Sequence, residues 1–292
     1  MQLKGYSKNL TPYYFLLPPL IFLILIAIYP LLFSLKLAFY RWNLVNVLDQ
    51  YFIGFGNFTR LFTDDSFWNA IKVTFTYVIL ATVIEFFLGL SLALIASQEL
   101  KGIKIIRTLF LIPMMMAPLV VGLMWRYLLN ANYGIVTFLI KTIFRVTPPE
   151  WLSHPTWSLF TLIFVDIWQW TPFMFIILLA GIQSLSKSPY EAAQIDGARK
   201  HQIFFYITLP LLRPVILVSI LLRVIDTFRV YDLVYSMTRG GPINKTESLS
   251  WYVYQTGFKF FDFGYASALS WIMLVITMII CAQLIRVISR EA

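Results

Sequence analysis

The chain has 292 residues, of which 59% are hydrophobic and only 13% are charged, and its formal net charge is +9. Soluble proteins average about 45–50% apolar and about 25% charged residues, so this composition indicates an integral membrane protein. The cytoplasmic loops of membrane proteins collect Lys and Arg, which explains the charge without nucleic-acid binding. A single cysteine, Cys281, excludes an intrachain disulfide, and His154 and His201 are too far apart in sequence to suggest a metal site.

Six apolar segments are each long enough to cross a membrane as a helix, which takes about 20 residues. Pro18, Pro19 and Pro30 predict kinks in the first segment, which lacks a following cleavage site and is expected to be retained. The predicted spans cover residues 13–38, 70–97, 108–129, 157–181, 206–227 and 265–288. We therefore predict an all-α integral membrane protein with one domain over residues 1–292, whose core spans lie at about 70–288 after an N-terminal span.

Basic residues predict the orientation of these spans. Ten lie in the termini and in the second and fourth loops, whereas the other three loops are longer and hold fewer per residue. The positive-inside rule then places both termini in the cytoplasm and loops 39–69, 130–156 and 228–264 outside, where their aromatic residues are typical of interfacial belts. TRGGP at 238–242 predicts a turn. The ten residues are Lys4, Lys8, Lys101, Lys104, Arg107, Lys187, Arg199, Lys200, Arg286 and Arg290.

A polar stretch, SKSPYEAAQIDGARKHQIFFYITLP, separates the fourth and fifth predicted spans. Ser188 as N-cap, Pro189 at the first helical position and Glu191 two residues later predict a helix start with a capping box. Gly197 permits a left-handed residue, and a second helix from Lys200 is predicted to lead into the fifth span. The stretch fits either a docking surface for another protein or an amphipathic connector on the lipid surface.

EAAQIDGARKHQIFFYITLP resembles the EAA motif of the permease subunits of ABC importers. The flanking SPYEAAQIDGA, ITLPLLRP and VIDTFRVYDLVYSMTRGGP resemble the carbohydrate-uptake, MalF-like branch, and the similarity covers nearly the whole chain. The residues that match the motif are Glu191, Ala192, Ala193, Gly197, Ile207, Leu209 and Pro210.

The resemblance implies a type I permease of the bacterial plasma membrane that translocates a sugar or oligosaccharide delivered by an extracytoplasmic binding protein. Its implied partners are a second, MalG-like permease, two ATPase subunits, that binding protein, the sugar and membrane lipid. ATP and Mg would be bound by the ATPases, since the chain has no GxxxxGK[ST] motif, so no cofactor, metal or bond chemistry is expected in this chain. The implied residues of a cytoplasmic coupling helix are Glu191, Ala192, Ala193, Asp196, Gly197 and Ala198.

The fourth predicted span carries candidates for a substrate pathway, because an ionisable residue inside a membrane is costly unless it is paired or functional. Asp166, Gln169, Trp170 and Phe173 follow the spacing i, i+3, i+4, i+7 and share one helix face. Their carboxylate and amide can bond sugar hydroxyls, and their rings can stack on a sugar. Alternatively, Asp166 lies near the outer interface and the rings face lipid.

In the fifth span, Arg223 and Asp226 are spaced i, i+3, and they either pair with each other or contact the substrate. Glu85 in the second span is expected to be a buried partner of Arg126 or of another neighbour.

Two other functions fit parts of the sequence. In an importer for an anionic solute, such as an acidic oligosaccharide or glycerol phosphate, Arg223 and Arg229 would bind the substrate. In an ion-coupled secondary transporter, Asp166 or Glu85 would bind a proton or cation, although the EAA motif argues against this. A membrane-embedded enzyme lacks a convincing set of nucleophile, base or metal ligands.

Overall fold

The computed structural model describes residues 11–45, 50–98 and 103–289, so Lys4, Lys8, Lys101 and Arg290 lie outside the described residues. The chain is mostly helical, but one pair of short antiparallel strands, β1 (Tyr40–Arg41) and β2 (Tyr51–Phe52), departs from the all-α prediction. The helices are α1 (Thr11–Leu23), α2 (Tyr29–Ala38), α3 (Gly56–Thr63), α4 (Asp65–Ala96), α5 (Ile103–Phe110), α6 (Ile112–Met115), α7 (Pro118–Leu128), α8 (Ile135–Phe144), α9 (Trp157–Ser184), α10 (Ser188–Ile195), α11 (Lys200–Ile203), α12 (Leu209–Phe228), α13 (Leu249–Tyr254) and α14 (Phe263–Ser289).

Within the described residues, five continuous helical segments are long and apolar enough to cross a membrane. They correspond to the first, second, fourth, fifth and sixth predicted spans and extend several of them at one or both ends. The segments are Tyr14–Ala38, Asp65–Ala96, Trp157–Ser184, Lys200–Phe228 and Phe263–Val287.

The prediction of one continuous third span over 108–129 is wrong. The structure divides this region into α5, α6 and α7, and Met116 and Ala117 between the last two have extended backbone. Pro113 and Pro118 explain the division, because proline donates no backbone hydrogen bond and disfavours helical geometry in the residue before it.

Helical segments are joined without interruption where π-helical turns absorb irregularities. The turn Ile24–Ile28 connects α1 to α2, and the N–H of Tyr29 donates to the carbonyl of Ile24. Pro30 explains this turn, because its ring would clash with the carbonyl of Ile26 in a regular helix. Phe204–Thr208 similarly joins α11 to α12, which confirms the predicted continuation from Lys200 into the fifth span.

The loops predicted to lie outside contain more structure than the sequence indicated. Loop 130–156 contains α8, whose ten residues are too short to be recognised as a span, and loop 228–264 contains α13 with the π-helical turns Val234–Thr238 and Gln255–Lys259. The predicted turn at 238–242 is confirmed, because Arg239 and Gly240 adopt left-handed backbone with φ of 53° and 83°.

The chain divides into two compact units. The first comprises Met1–Thr63, described from Thr11, with Val253–Ile272, and the second comprises Asp64–Tyr252 with Met273–Ala292, described to Ser289. In the first unit, the buried Nδ2 of Asn57 donates to the carbonyls of Ala38 and Tyr40, at 2.9 Å each, and fixes α3 beside the strand pair.

In the second unit, α4, α9 and α12 pack against one another around a buried apolar cluster that includes Leu90, Ala93, Phe175, Leu178 and Leu212. Gly89 allows α4 to approach α9 closely, since a Cβ atom there would lie 2.7 Å from the Cβ of Met174. These three helices position the charged residues described below.

We predict that Gly89→Leu destabilises the chain, because the larger side chain must separate α4 from α9. Overpacking of this kind typically costs about 1–3 kcal/mol. Thermal unfolding of the purified protein in detergent measures the effect. Ser91→Leu is the matched control, since Ser91 is on the same helix and exposed. Equal melting temperatures for the two variants would contradict the close packing at Gly89.

Candidate functional site

Arg223 on α12 forms the centre of a buried charge cluster. Its side chain is 1% exposed and binds Glu85 of α4 through two hydrogen bonds, from Nε to Oε2 at 2.5 Å and from Nη2 to Oε1 at 2.9 Å. Nη2 also donates to Oδ2 of Asp166 on α9, and Nη1 donates to Oδ2 of Asp226 at 2.9 Å. The predicted ion pair between Arg223 and Asp226 is thus confirmed as one part of a larger network.

The cluster joins three helices through one guanidinium. Glu85 is fully buried, the Asp166 side chain is 5% exposed, and the Asp226 side chain is 49% exposed. A buried charge is tolerated when it is paired and its hydrogen-bonding groups are satisfied, and the planar guanidinium suits several carboxylates at once. The cluster therefore fixes α4, α9 and α12 relative to one another where these side chains meet.

An aromatic ring and a small cavity adjoin the cluster. The Cζ atom of Arg223 lies 5.2 Å from the ring centroid of Trp170, within the range of a cation–π contact. Asp166, Trp170, Arg223 and Asp226 line a cavity of about 70 Å³, which also touches Arg229. Pockets for small ligands measure roughly 300–1,000 Å³, so the cavity in this conformation accommodates water but not a sugar ring.

The structure separates the predicted face of α9 into residues with different contacts. Asp166 and Trp170 reach the cavity, whereas Gln169 is fully buried and its Nε2 donates to the carbonyl of Met116 at 3.0 Å. Phe173 contacts the Trp170 ring edge-on, with centroids 6.2 Å apart, and is not among the described residues that line the cavity. Sequence reasoning missed the role of Met116, although Pro113 and Pro118 signalled an interrupted helix whose carbonyls need partners.

Glu85 is buried and paired with a neighbour, as expected, but Arg126 as that neighbour is wrong. Arg126 instead donates from Nη1 to the carbonyl of Ser236 at 3.2 Å, and Glu85 pairs with Arg223. The sequence could not assign the partner, because the three helices that carry Glu85, Asp166 and Arg223 are distant in sequence.

The polar stretch between α9 and α12 forms the short helix α10 and a defined turn. The N–H of Ala198 donates to the carbonyl of Ala193 at 2.9 Å, and that of Gly197 to the carbonyl of Gln194 at 3.1 Å. This is a Schellman motif, and the φ of +72° at Gly197 confirms the predicted left-handed residue. The predicted capping box at Ser188 is wrong: the helix begins at Ser188, so the N-cap is Lys187, and it makes no side-chain capping bond.

One side of α10 is anchored and the other is exposed. Ala193 is buried, and the hydroxyl of Tyr190 donates to Oγ1 of Thr208 at 3.2 Å, which links α10 to the π-helical turn before α12. Ile195 is 87% exposed. The remaining residues of the implied coupling helix are also accessible, with Ala198 half-buried and Glu191, Ala192, Asp196 and Gly197 exposed.

Comparison with known proteins identifies a family whose members share the region that contains the charge cluster and α10. The family model described as "Binding-protein-dependent transport system inner membrane component" matches residues 85–290, which include the charge cluster and α10. The chain belongs to this family. It is therefore a multi-pass membrane permease of the ABC transporter class.

Individual relatives match the permease over almost its full length. The probable ABC transporter permease protein y4oQ of Sinorhizobium fredii is 40% identical over 97% of this chain and 91% of its own. The trehalose/maltose transport system permease protein MalF of Thermococcus litoralis is 34% identical over 94% and 92%. A crystal structure of a bacterial ABC transporter involved in the import of the acidic polysaccharide alginate has a TM-score of 0.85 at 26% identity, covering 97% of this chain and 96% of its own.

We predict that Arg223→Met lowers the thermal unfolding temperature of the permease sharply. The substitution leaves Glu85 and Asp166 buried without their cation, which typically costs about 3–5 kcal/mol. Combining it with Glu85→Gln and Asp166→Asn should recover part of the loss, because the buried negative charge is removed as well.

Arg229→Met is the control for this experiment, because Arg229 is exposed and most surface substitutions change stability by less than about 0.5 kcal/mol. The cluster would have no structural role if Arg223→Met and Arg229→Met unfolded at the same temperature.

Proposed function

We propose that the permease translocates a sugar or oligosaccharide that an extracytoplasmic binding protein delivers, and that ATP hydrolysis in two partner ATPase subunits drives the transport. The proposal rests on α10, which lies between two membrane helices and bears the EAA motif. One side of this helix is anchored to the rest of the chain, and the other side is exposed. In this proposal ATP and Mg bind to the partners, the chain catalyses no bond chemistry, and a second, MalG-like permease completes the membrane part.

Sidedness follows from the distribution of basic residues. We place α10 and both termini in the cytoplasm, because Lys and Arg are concentrated in the segments next to them. In this orientation the third span consists of α5, α6 and α7, which makes six crossings in the bacterial plasma membrane. The exposed side of α10, with Glu191, Ala192 and Ile195, then faces the ATPase.

The contacts of α10 provide a route for movement. Only three residues separate it from α9, and the bond between Tyr190 and Thr208 connects it to α12. At 1.5 Å per residue along the helix axis, Asp166 on α9 lies about 27 Å from Ser184 at the end of that helix. Arg223 on α12 lies about 22 Å from Thr208, which contacts α10. A displacement of α10 by the ATPase would therefore change the relation between these helices at the charge cluster and enlarge or close the cavity there.

The chemistry of the cavity favours a hydroxyl-rich substrate. Trp170 offers a ring for stacking, and Asp166 and Asp226 offer oxygens that accept hydrogen bonds from hydroxyls. The relative from Thermococcus litoralis is named for trehalose and maltose transport, which supports a neutral sugar. We assign Trp170, Asp166, Arg223 and Asp226 to the substrate pathway and Gln169 and Phe173 to its supporting layer.

An acidic oligosaccharide is the second candidate substrate, because the solved alginate importer resembles the permease closely in fold. Arg223 is unsuited to bind an anion in this conformation, since its side chain already makes four hydrogen bonds to carboxylates. Arg229 lines the same cavity and is exposed, so it is the cation available to an acidic substrate.

We predict that Gly197→Val uncouples ATP hydrolysis from transport. A β-branched residue disfavours left-handed backbone, which costs about 1–2 kcal/mol, and the turn after α10 would distort. The ratio of sugar imported to ATP hydrolysed, measured with the complex in proteoliposomes, should fall severalfold.

Gly197→Asn is the matched control for the turn, because asparagine tolerates left-handed backbone and a Cβ atom at Gly197 meets no atom within 4 Å. Normal coupling in Gly197→Val, or equal loss in both variants, would contradict the role of the turn.

We predict that Trp170→Ala raises the half-saturating concentration for uptake severalfold, whereas Arg229→Gln does so only for an acidic substrate. Uptake of the sugar that binds the partner binding protein measures both effects. Unchanged uptake in Trp170→Ala would remove this residue from the pathway, and a strong defect of Arg229→Gln would favour the acidic candidate.

A further inference from the structure

A second and larger cavity lies in the Asp64–Tyr252 unit, beyond the C-terminal end of α7. Its volume is about 510 Å³, which falls within the range of small-ligand pockets. The lining residues come from the end of α7, from the segments on either side of α8, and from the π-helical turn Val234–Thr238 with the loop after it. They include Arg126, Asn130, Asn132, Glu150, Trp151 and Thr238. We propose that this outer cavity binds one or two units of a neutral sugar before the sugar reaches the charge cluster, an inference that rests on the proposed transport function.

The lining offers the groups that bind carbohydrates. Trp151 provides a flat apolar ring, and Asn130, Asn132, Ser153 and Thr238 provide amides and hydroxyls. The indole Nε1–H of Trp151 is buried and has no acceptor among the residues that the structure describes. Because this nitrogen is shielded from solvent, a ligand in the cavity would contact the half-buried ring of Trp151 rather than its N–H.

The charges of the lining favour a neutral ligand over an anionic one. Arg126 and Glu150 are the charged residues among those that line the cavity, and their formal charges cancel. Arg126 also donates to the carbonyl of Ser236, which holds its guanidinium against the chain. An acidic sugar would meet the carboxylate of Glu150 and gain little net attraction.

The outer cavity and the cavity at the charge cluster lie at opposite ends of one packing contact. α7 packs against Val234–Thr238, where Gly122 and Ser236 are so close that a Cβ atom at Gly122 would lie 1.9 Å from the Ser236 hydroxyl. Pro118 lines the inner cavity and Arg126 lines the outer one. Arg126 follows Pro118 by eight positions of the helix, which corresponds to about 12 Å along its axis. A sugar in the outer cavity is therefore close to the inner one, with this contact between them.

Saturation-transfer NMR tests the proposal on the purified importer complex in nanodiscs, without the soluble binding protein. The probes are a panel of neutral mono-, di- and trisaccharides built from glucose, galactose, mannose and xylose, with galacturonate oligomers as the acidic comparison. We expect signals from members of the neutral panel and weaker signals from the galacturonates.

Trp151→Ala should weaken the neutral signals at least about tenfold, which equals roughly 1.4 kcal/mol in binding. Trp151→Phe, which keeps a ring of smaller area, should have an intermediate effect. Trp68→Ala is the control, since Trp68 is an exposed tryptophan outside the cavity. Size-exclusion profiles and unfolding temperatures show whether each variant is folded, and Trp151→Phe gives the answer if Trp151→Ala does not fold.

The proposal is overturned if no neutral saccharide binds, if binding survives in folded Trp151 variants, or if galacturonates bind as well as neutral sugars. ATP-driven uptake is measured separately on the same complex. Intact uptake without binding in the cavity overturns only the cavity, whereas Trp151-dependent binding without ATP-driven uptake supports the cavity and overturns the proposed transport function.

Discussion

The burial of the Arg223 guanidinium among carboxylates is the constraint on which the centre of the permease depends. A single cation holds Glu85 of α4, Asp166 of α9 and Asp226 of its own helix, and both Glu85 and Asp166 are removed from water. Separating any helix from this group would leave an unpaired buried charge, which is among the most costly changes in a protein interior. The three helices consequently have few alternative arrangements. In every such arrangement the same charges must be paired with each other, hydrated by water or bound to substrate.

Irregular backbone occurs near this cluster. α7 begins after two extended residues, Met116 and Ala117, and this break frees the carbonyl of Met116 from helical hydrogen bonding. The side chain of Gln169 donates a hydrogen bond to that carbonyl, and Gln169 is close in sequence to Asp166 of the cluster. Non-helical backbone at membrane depth is tolerated where it is buried in protein or lines a cavity. Pro118 lies at the cavity itself, so the break places backbone and aromatic groups together with the charges. This combination suits a site that must bind polar molecules briefly and release them.

The sequence predicted most of the elements but not their partners. Long apolar segments identified five of the helices, and Gly197 identified the turn after α10, because these features depend on local composition and backbone preference. The prediction of a continuous third span was wrong because Pro113 and Pro118, which are visible in the sequence, are compatible with either a kink or a complete break of the helix. The same limit applied to Glu85, whose burial was expected from its apolar neighbours, whereas its pairing with Arg223 required knowledge of which helix faces which.

The two sites depend on the sequence in different ways. The EAA motif is contiguous, so its residues and their turn could be read directly, and only the exact helix start was misplaced. The candidate substrate face of α9 was predicted from helical spacing and side-chain chemistry. Neither reveals that Gln169 bonds the carbonyl of Met116 and that Phe173 packs on Trp170, while Asp166 and Trp170 reach the cavity. The outer cavity was not predicted at all, because its lining comes from loops that are brought together only by the fold.

In the mechanism proposed above, the exposed side of α10 contacts an ATPase whose movement is transmitted to the charge cluster. Site-specific photo-crosslinking can detect this contact. A photoreactive phenylalanine is placed at Ile195, which is 87% exposed, and, as the control, at Ile279, an exposed position on α14. In native membranes we predict a crosslink from position 195 to a subunit that binds ATP, at a yield that changes when a non-hydrolysable ATP analogue is added, and none to that subunit from position 279. Crosslinks from position 195 to lipid alone would contradict the account and identify α10 as a connector on the membrane surface.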